Sequence, residues 1–146
     1  MTIFDHRIYI AAPYQTVWEH LTRAERYESW FSAPGLSFGS RPGDSVAWGS
    51  TDRTAIVGRL LAIEHGKGLR HSFAFAFVEP REDTEVEWTV LAAGAVVDLR
   101  VQHDVTHAPN TARTIGEAGW TKALCRLKTL IETGKPMPWP SEDAPS

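Results

Sequence analysis

Two histidines fall where the surrounding pattern is apolar. His71 lies in the alternating run Leu69, His71, Phe73, Phe75, Phe77, and His103 closes the run Val97, Leu99, Val101, His103. An imidazole titrates near pH ~6.5, so an inward-facing one can relay a proton or hold a carbonyl, phenol or carboxylate. The competing reading is a strand-end histidine bonded to backbone or water, because burying an unpaired polar group costs roughly 1–3 kcal/mol. That second reading is favoured for both. His103-Asp104-Val105-Thr106-His107 has the i, i+4 spacing of a helical metal pair. The segment reads as strand running into loop, where that spacing does not converge, and no Glu follows the first His. No metal and no cofactor are expected. Cys125, the single cysteine, sits one position off the apolar stripe of a helix and reads as a small buried hydrophobe. Its neighbour Arg126 lowers the thiol pKa only if both point the same way. Neither a Gly-x-Ser-x-Gly elbow nor a phosphate-cradling glycine loop is present.

The composition bounds what these residues can serve. The chain has 146 residues, 42% hydrophobic and 23% charged, which is one ordinary globular domain with a core of its own. Its 15 Lys and Arg against 18 Asp and Glu leave a net charge of −3, no overall electrostatic reason to bind nucleic acid or an anionic membrane. No apolar run approaches the roughly 18 residues of a membrane span. The N-terminus carries charge where a secretion signal turns apolar, and one cysteine forms no internal disulfide. The expectation is a cytoplasmic protein. Six tryptophans are the unusual count.

The elements that would position the histidines follow from periodicity. Ile3–Ile10 alternates as a strand with Phe4, His6, Ile8 and Ile10 on one face. A helix is predicted from Pro13 to Thr22, with Val17, Trp18 and Leu21 on its apolar face, and a second short one over Ala24–Trp30. Ser32-Ala33-Pro34-Gly35 breaks the chain. Strands are predicted over Ser45–Gly49, Thr54–Glu64, Leu69–Val78, Thr84–Leu91 and Ala95–His103. Turns at Arg41–Asp44, His65–Gly68, Pro80–Asp83 and Ala92–Gly94 separate them. The clean alternation marks an antiparallel sheet covered on one face. Glu64, Glu79, Glu85 and Glu87 read as solvated. Arg59 and Arg100 turn inward only if a bulge shifts register. One helix over Thr111–Thr133 covers the sheet, with Ile115, Trp120, Ala123, Leu124, Leu127, Leu130 and Ile131 on its stripe and Arg126 off it. Gly134 caps that helix and Pro136 stops it. Residues 1–135 thus read as a single domain, and 136–146 as a proline-rich tail.

In order and spacing, several pieces resemble a known family. They are Ile8–Pro13 followed by Val17-Trp18, Trp30-Phe31, Pro42-Gly43-Asp44, Gly58, the Gly68–Phe77 arm, Gly119-Trp120, Leu124, Leu127-Lys128 and Glu132–Pro136. The chain resembles the SRPBCC (START/Bet v 1-like) superfamily, most of all the group related to the C-terminal domain of the activator of heat-shock-protein-90 ATPase. The resemblance implies an α+β helix-grip fold: a curved antiparallel sheet wrapped around a long C-terminal helix, with two short helices after the first strand. It also implies a cavity between sheet and helix for an apolar ligand. The wall expected from alternation is His71, Phe73, Phe75, Trp88, Leu99, Val101 and His103 on the strands, with Trp120 and Leu124 facing them. Trp30 and Phe31 are expected near the mouth.

Three functions remain open. The favoured one is a non-catalytic module holding a small hydrophobic or aromatic molecule. The second is an aromatase-, cyclase- or hydrolase-like enzyme with His71 and His103 as acid and base. The third is a co-chaperone-like interaction domain linked to the stress response. In the family that role belongs to a larger protein with an additional N-terminal domain, and this chain begins at its first strand, so ATPase activation is not expected. The Pro136–Trp139 arm offers an anchor for a homodimer, against the alternative of a frayed tail.

Overall fold

The computed structural model describes residues 2–141, and the acidic end of the tail, 142–146, lies outside the described residues. Seven strands run as β1 Ile3–Ile10, β2 Gly35–Phe38, β3 Ser45–Gly49, β4 Thr54–Glu64, β5 Gly68–Phe75, β6 Thr84–Ala93 and β7 Val96–Asp104. Helix α1 (Tyr14–Thr22) and a 3₁₀ turn over Ala24–Ser29 follow β1, and α2 (Pro109–Ile115) and α3 (Gly119–Thr133) follow β7. The sheet is antiparallel throughout, in the order β1-β7-β6-β5-β4-β3-β2. The architecture is α+β: a single curved sheet whose inner face carries the core and is closed by the C-terminal helix.

Alternation does what the sequence pattern predicts along β6 and β7. Thr84, Val86, Trp88 and Val90 are buried between exposed Glu85, Glu87 and Leu91, and Val97, Leu99, Val101 and His103 are buried in turn. The wet face of β1 and β7 is laced by two diagonal pairs, Arg7 with Asp98 at 2.6 Å and Arg100 with Asp5 at 2.7 Å. Arg100 therefore points outward. Arg59 is exposed as well, donating to the Gly43 carbonyl at 2.9 Å. The register shift in β4 lies one step further on, between Leu60 and Ala62, and turns out Leu61 instead.

Four expectations need correction. The C-terminal helix is two helices. Gly116, at φ 73°, ends α2 with its N–H on the Ala112 carbonyl, and the chain restarts at Gly119; a positive φ is cheap for Gly and interrupts a helix. The break changes which residues of α3 face inward: Arg126 is buried and Cys125 is exposed. Strand β5 stops at Phe75, so Phe77 lies outside it, 52% exposed, while Val78 is buried in its place. The edge strand β2 was not foreseen. It is short and irregular, with a register shift between Gly35 and Ser37.

Helix α3 is fastened at its C-terminal end, and α2 at its start. At its C-terminus Gly134 takes φ 89°, donating to the Leu130 carbonyl. Lys128 donates to the Tyr9 carbonyl at 2.6 Å, and Glu132 accepts the Ala11 N–H at 2.8 Å, which ties the helix to the end of β1. The preceding α2 is held by a remote carboxylate. Glu82, in the β5–β6 connection, accepts from the Thr111 N–H at 2.7 Å and its hydroxyl at 2.8 Å. That carboxylate satisfies N-terminal amides which a helix cannot pair internally.

Candidate functional site

Between the sheet and α3 lies a cavity of about 280 Å³. Ile56 of β4 and Phe73 and Phe75 of β5 form its floor. Gly119, Trp120 and Ala123 form one side from α3, and Thr114 and Ile115 close it from α2. Phe31 and Ser32, after the 3₁₀ turn, and Trp139 of the C-terminal arm complete it. The cavity owes its space to α3. At positions 119 and 123, one turn apart on the same helical face, the helix presents only Gly and Ala. A larger depression of about 670 Å³ crosses the outer face of β4, β5 and β6. It is open ground among charged side chains such as Lys67, Arg70 and Glu87, the opposite of an enclosed apolar pocket.

Of the wall expected from alternation, Phe31, Phe73, Phe75 and Trp120 meet around this cavity. Phe73 and Phe75 pack edge to face at 5.1 Å. Trp30, His71, Trp88, Leu99, Val101, His103 and Leu124 are buried in the core and do not line it. Trp30 packs instead, tilted, against Tyr27 at 5.1 Å, with its indole N–H on the His20 carbonyl at 3.3 Å. Trp88 meets Trp120 edge-on at 5.5 Å, which fills the space behind the cavity. The lining residues that alternation did not indicate are Ile56, Ser32, Thr114, Ile115, Gly119, Ala123 and Trp139. Gly119 and Ala123 carried a signal: small residues at i, i+4 on the face that meets the sheet.

The two histidines sit in one row across the sheet. His71 pairs with Val86, and Val86 with His103. Their backbones are thus two strand spacings apart, about 10 Å, and their rings meet different partners. His103 belongs to a closed relay. The Trp120 indole N–H donates to its Nδ1 at 3.2 Å, its Nε2 meets the Thr84 hydroxyl at 2.7 Å, and Thr84 donates to the Phe73 carbonyl at 2.8 Å. An indole N–H only donates, so Nδ1 is an acceptor and the ring is the neutral Nε2–H tautomer. Burial pushes its pKa down to about 3, with His71 adding to the shift. His71 donates from Nδ1 to the Ser72 carbonyl at 2.8 Å and packs against Trp48 at 5.3 Å. Burial pushes it down to about 4, against that backbone bond. Both rings are neutral at physiological pH, and neither faces the cavity. Among the described residues no three His, Cys, Asp or Glu side chains come together as a metal site.

The proline arm lies on its own chain. Arg126, 9% exposed, donates from Nε to the Trp30 carbonyl at 3.1 Å, from Nη2 to the Ser29 carbonyl at 3.5 Å and from Nη1 to the Met137 carbonyl. Its guanidinium carbon stands 4.5 Å from the centre of the Trp139 ring. The anchor that the sequence offered to a second subunit is thereby seated on α3.

A curved antiparallel sheet closed by a C-terminal helix, with an aromatic-walled cavity between them, is the SRPBCC class of α+β protein. Within that class, the family model for Activator of Hsp90 ATPase homolog 1-like protein matches residues 11–132, and the chain belongs to that family. Solved structures agree. CalU16 from Micromonospora echinospora is similar with a TM-score of 0.73 and 26% identity, over 93% of this chain and 77% of that one. DynU16, from the dynemicin biosynthetic locus, shows a TM-score of 0.73 and 24% identity, over 92% of this chain and 48% of that one. The Aha1 dimer from Colwellia psychrerythraea shows 0.74 and 20% identity, over 92% and 99%. No curated protein sequence matches the chain. Among the described residues no helix is long and apolar enough to cross a membrane.

Proposed function

We propose that the protein binds a small apolar or aromatic molecule, without transforming it, in the cavity between β4, β5, α3 and the arm. The observation that carries this reading is the cavity itself: about 280 Å³ of space walled by Phe31, Phe73, Phe75 and Trp120. Beside Trp120, α3 contributes only the small Gly119 and Ala123 to that wall. Small-molecule pockets usually span about 300–1,000 Å³ and combine apolar walls with few polar groups. At the lower end of that range the ligand is one or two rings in size. The acid–base reading is set aside. Two groups acting on one reacting atom need hydrogen-bond reach of it, and neither His71 nor His103 lines the cavity. The lone, exposed Cys125 thiol fits a reducing compartment such as the cytoplasm.

A panel of one- and two-ring aromatics, screened by thermal shift and native mass spectrometry, tests this. A ligand at about 100 times its Kd stabilises the folded state by about 2.7 kcal/mol. Ala123→Leu puts three more carbons into the cavity from a position that already faces it. The expected result is binding weakened about tenfold or more in a variant that melts as cooperatively as the parent. Absence of any ligand-induced shift across the panel, or an unchanged affinity in Ala123→Leu, overturns the proposal.

A further inference from the structure

Arg126 is a cation withdrawn from water, and no carboxylate among the described residues meets it. Its three hydrogen bonds go to the carbonyls of Trp30, Ser29 and Met137, and no ion pair reaches it among the described residues. Buried ionic groups are normally balanced by opposite charge, since desolvation of an isolated one is expensive. The groups around Arg126 are informative. The carbonyls of Ser29 and Trp30 belong to the 3₁₀ turn and the residue after it, next to Phe31 and Ser32 of the cavity wall. The remaining contacts come from the arm: the Met137 carbonyl and the indole of Trp139. Trp139 both lines the cavity and stacks on the guanidinium. The indole therefore stands between Arg126 and the cavity, and it is 43% exposed.

We propose that the arm occupies the place of a ligand, and that the cavity's ligand is an aromatic carboxylate recognised by Arg126. The inference rests on the reading of the cavity as a small-molecule site. The arm presents the guanidinium with an aromatic face and one neutral oxygen. An aromatic acid offers the same two features in one molecule, with a charged oxygen pair in place of the carbonyl. Carboxylates match the guanidinium fork with two parallel bonds, and such charge-assisted bonds are roughly twice as strong as neutral ones. Exchange of Met137 and Trp139 for an aryl carboxylate thus brings a counter-charge to the guanidinium and keeps a ring against the cation. Pro136, Pro138 and Pro140 donate no backbone hydrogen bonds.

The test uses the full chain, with 2-naphthoate and its neutral isostere 2-naphthamide as probes, by isothermal titration calorimetry. Trp139→Ala removes the competing ring. In that variant naphthoate is expected to bind about tenfold or more tighter than naphthamide, the difference between a charge-assisted and a neutral hydrogen bond. Adding Arg126→Gln should abolish the preference while naphthamide binding persists. A second readout leaves Arg126 intact. In 5-fluorotryptophan-labelled parent protein, the ¹⁹F resonance of Trp139, assigned with Trp139→Phe, should shift to its solvent-exposed position with naphthoate and stay with naphthamide. Equal affinity for acid and amide in Trp139→Ala, or a Trp139 resonance unmoved by bound naphthoate, overturns the inference and leaves the cavity reading standing. Failure of both probes to bind any variant overturns the two together.

Discussion

Acid should destabilise this domain well before its carboxylates protonate. The perturbation is a change of pH from 7.5 to 5.0, and the groups responsible are His71 and His103. In the folded state burial holds them near 4 and 3, against about 6.5 in an unfolded chain. A folded pKa below the unfolded one means that the unfolded chain binds more protons in the interval between. Stability is then complete above about pH 6.5 and is lost as pH falls toward the folded values. Each imidazole contributes about 1.4 kcal/mol per pH unit, so the pair sets a slope of about 2.7. At pH 5.0, one and a half units below the unfolded value, the loss is about 4 kcal/mol, a large part of a typical stability of about 5–15 kcal/mol. Asp5, Asp98 and Glu132 have lowered pKa values, from hydrogen bonds to Arg100, to Arg7 and to the Ala11 N–H respectively. Their stabilisation is complete above the unfolded carboxylate values, about 4, and is lost as pH falls from there through the lowered folded ones, so the interval from 7.5 to 5.0 reads chiefly the imidazoles. Urea unfolding followed by circular dichroism at half-unit steps measures the slope. His71→Phe, which keeps a ring against Trp48 and Phe38, should halve it. Stability that stays level from pH 7.5 to 5.0 would refute the argument, because it requires imidazoles that are solvated or paired when charged.

Two further outcomes follow from single contacts. Thr84→Val keeps the shape of the side chain but strands the His103 Nε2–H and the Phe73 carbonyl. Two buried groups left unpaired cost about 2–4 kcal/mol, a fall of roughly 5–15 °C in melting temperature; Thr84→Ser retains the hydroxyl and should stay close to the parent, and equal melting of Val and Ser variants would count against the relay. Gly35→Ala forces a methyl to 2.1 Å from the Ala24 carbonyl oxygen, where β2 meets the 3₁₀ turn, and should destabilise by about 1–3 kcal/mol in a denaturant titration.

The strands that were legible in the sequence are those whose two faces meet different surroundings. In β6 and β7 one side packs on the core and the other meets water, so alternation survives in the residue types and the register follows. The C-terminal helices were harder. The apolar spacing runs on from Ile115 to Trp120 and Leu124 as though the helix were continuous, and only Gly116 and Gly119 mark the break. Strand β2 has no alternation to show: four residues at an edge, one of them a glycine pressed against Ala24. Alternation also assigned His71 and His103 correctly to the inner face, yet facing inward is a weaker condition than lining a cavity. Which inward residues border empty space depends on the sizes of those opposite, and α3 supplies that information through Gly119 and Ala123 rather than through the strands. Arg126 escaped because a charged residue is expected outside. Its burial depends on the arm, a contact made eleven residues along the chain to Met137 and beyond.

The six tryptophans separate according to what their ring nitrogens do. Trp30 and Trp120 donate to named acceptors, the His20 carbonyl and His103 Nδ1. Trp48, packed among Tyr27, Phe31 and Phe73, has no partner for its buried N–H. A paired indole fixes orientation as well as area, and Trp120 is the case that matters. Its N–H is committed to the relay through His103 and Thr84 to Phe73, which is itself cavity floor. The two aromatic walls, Phe73 on the strand and Trp120 on the helix, are therefore joined by one chain of hydrogen bonds behind the space they enclose. Collapse of the cavity by rotation of Trp120 would break that chain and leave His103 Nδ1 unpaired in the core. The neutral histidine thus has a role that neither sequence reading assigned to it: it accepts the bond that fixes the orientation of Trp120 beside the cavity.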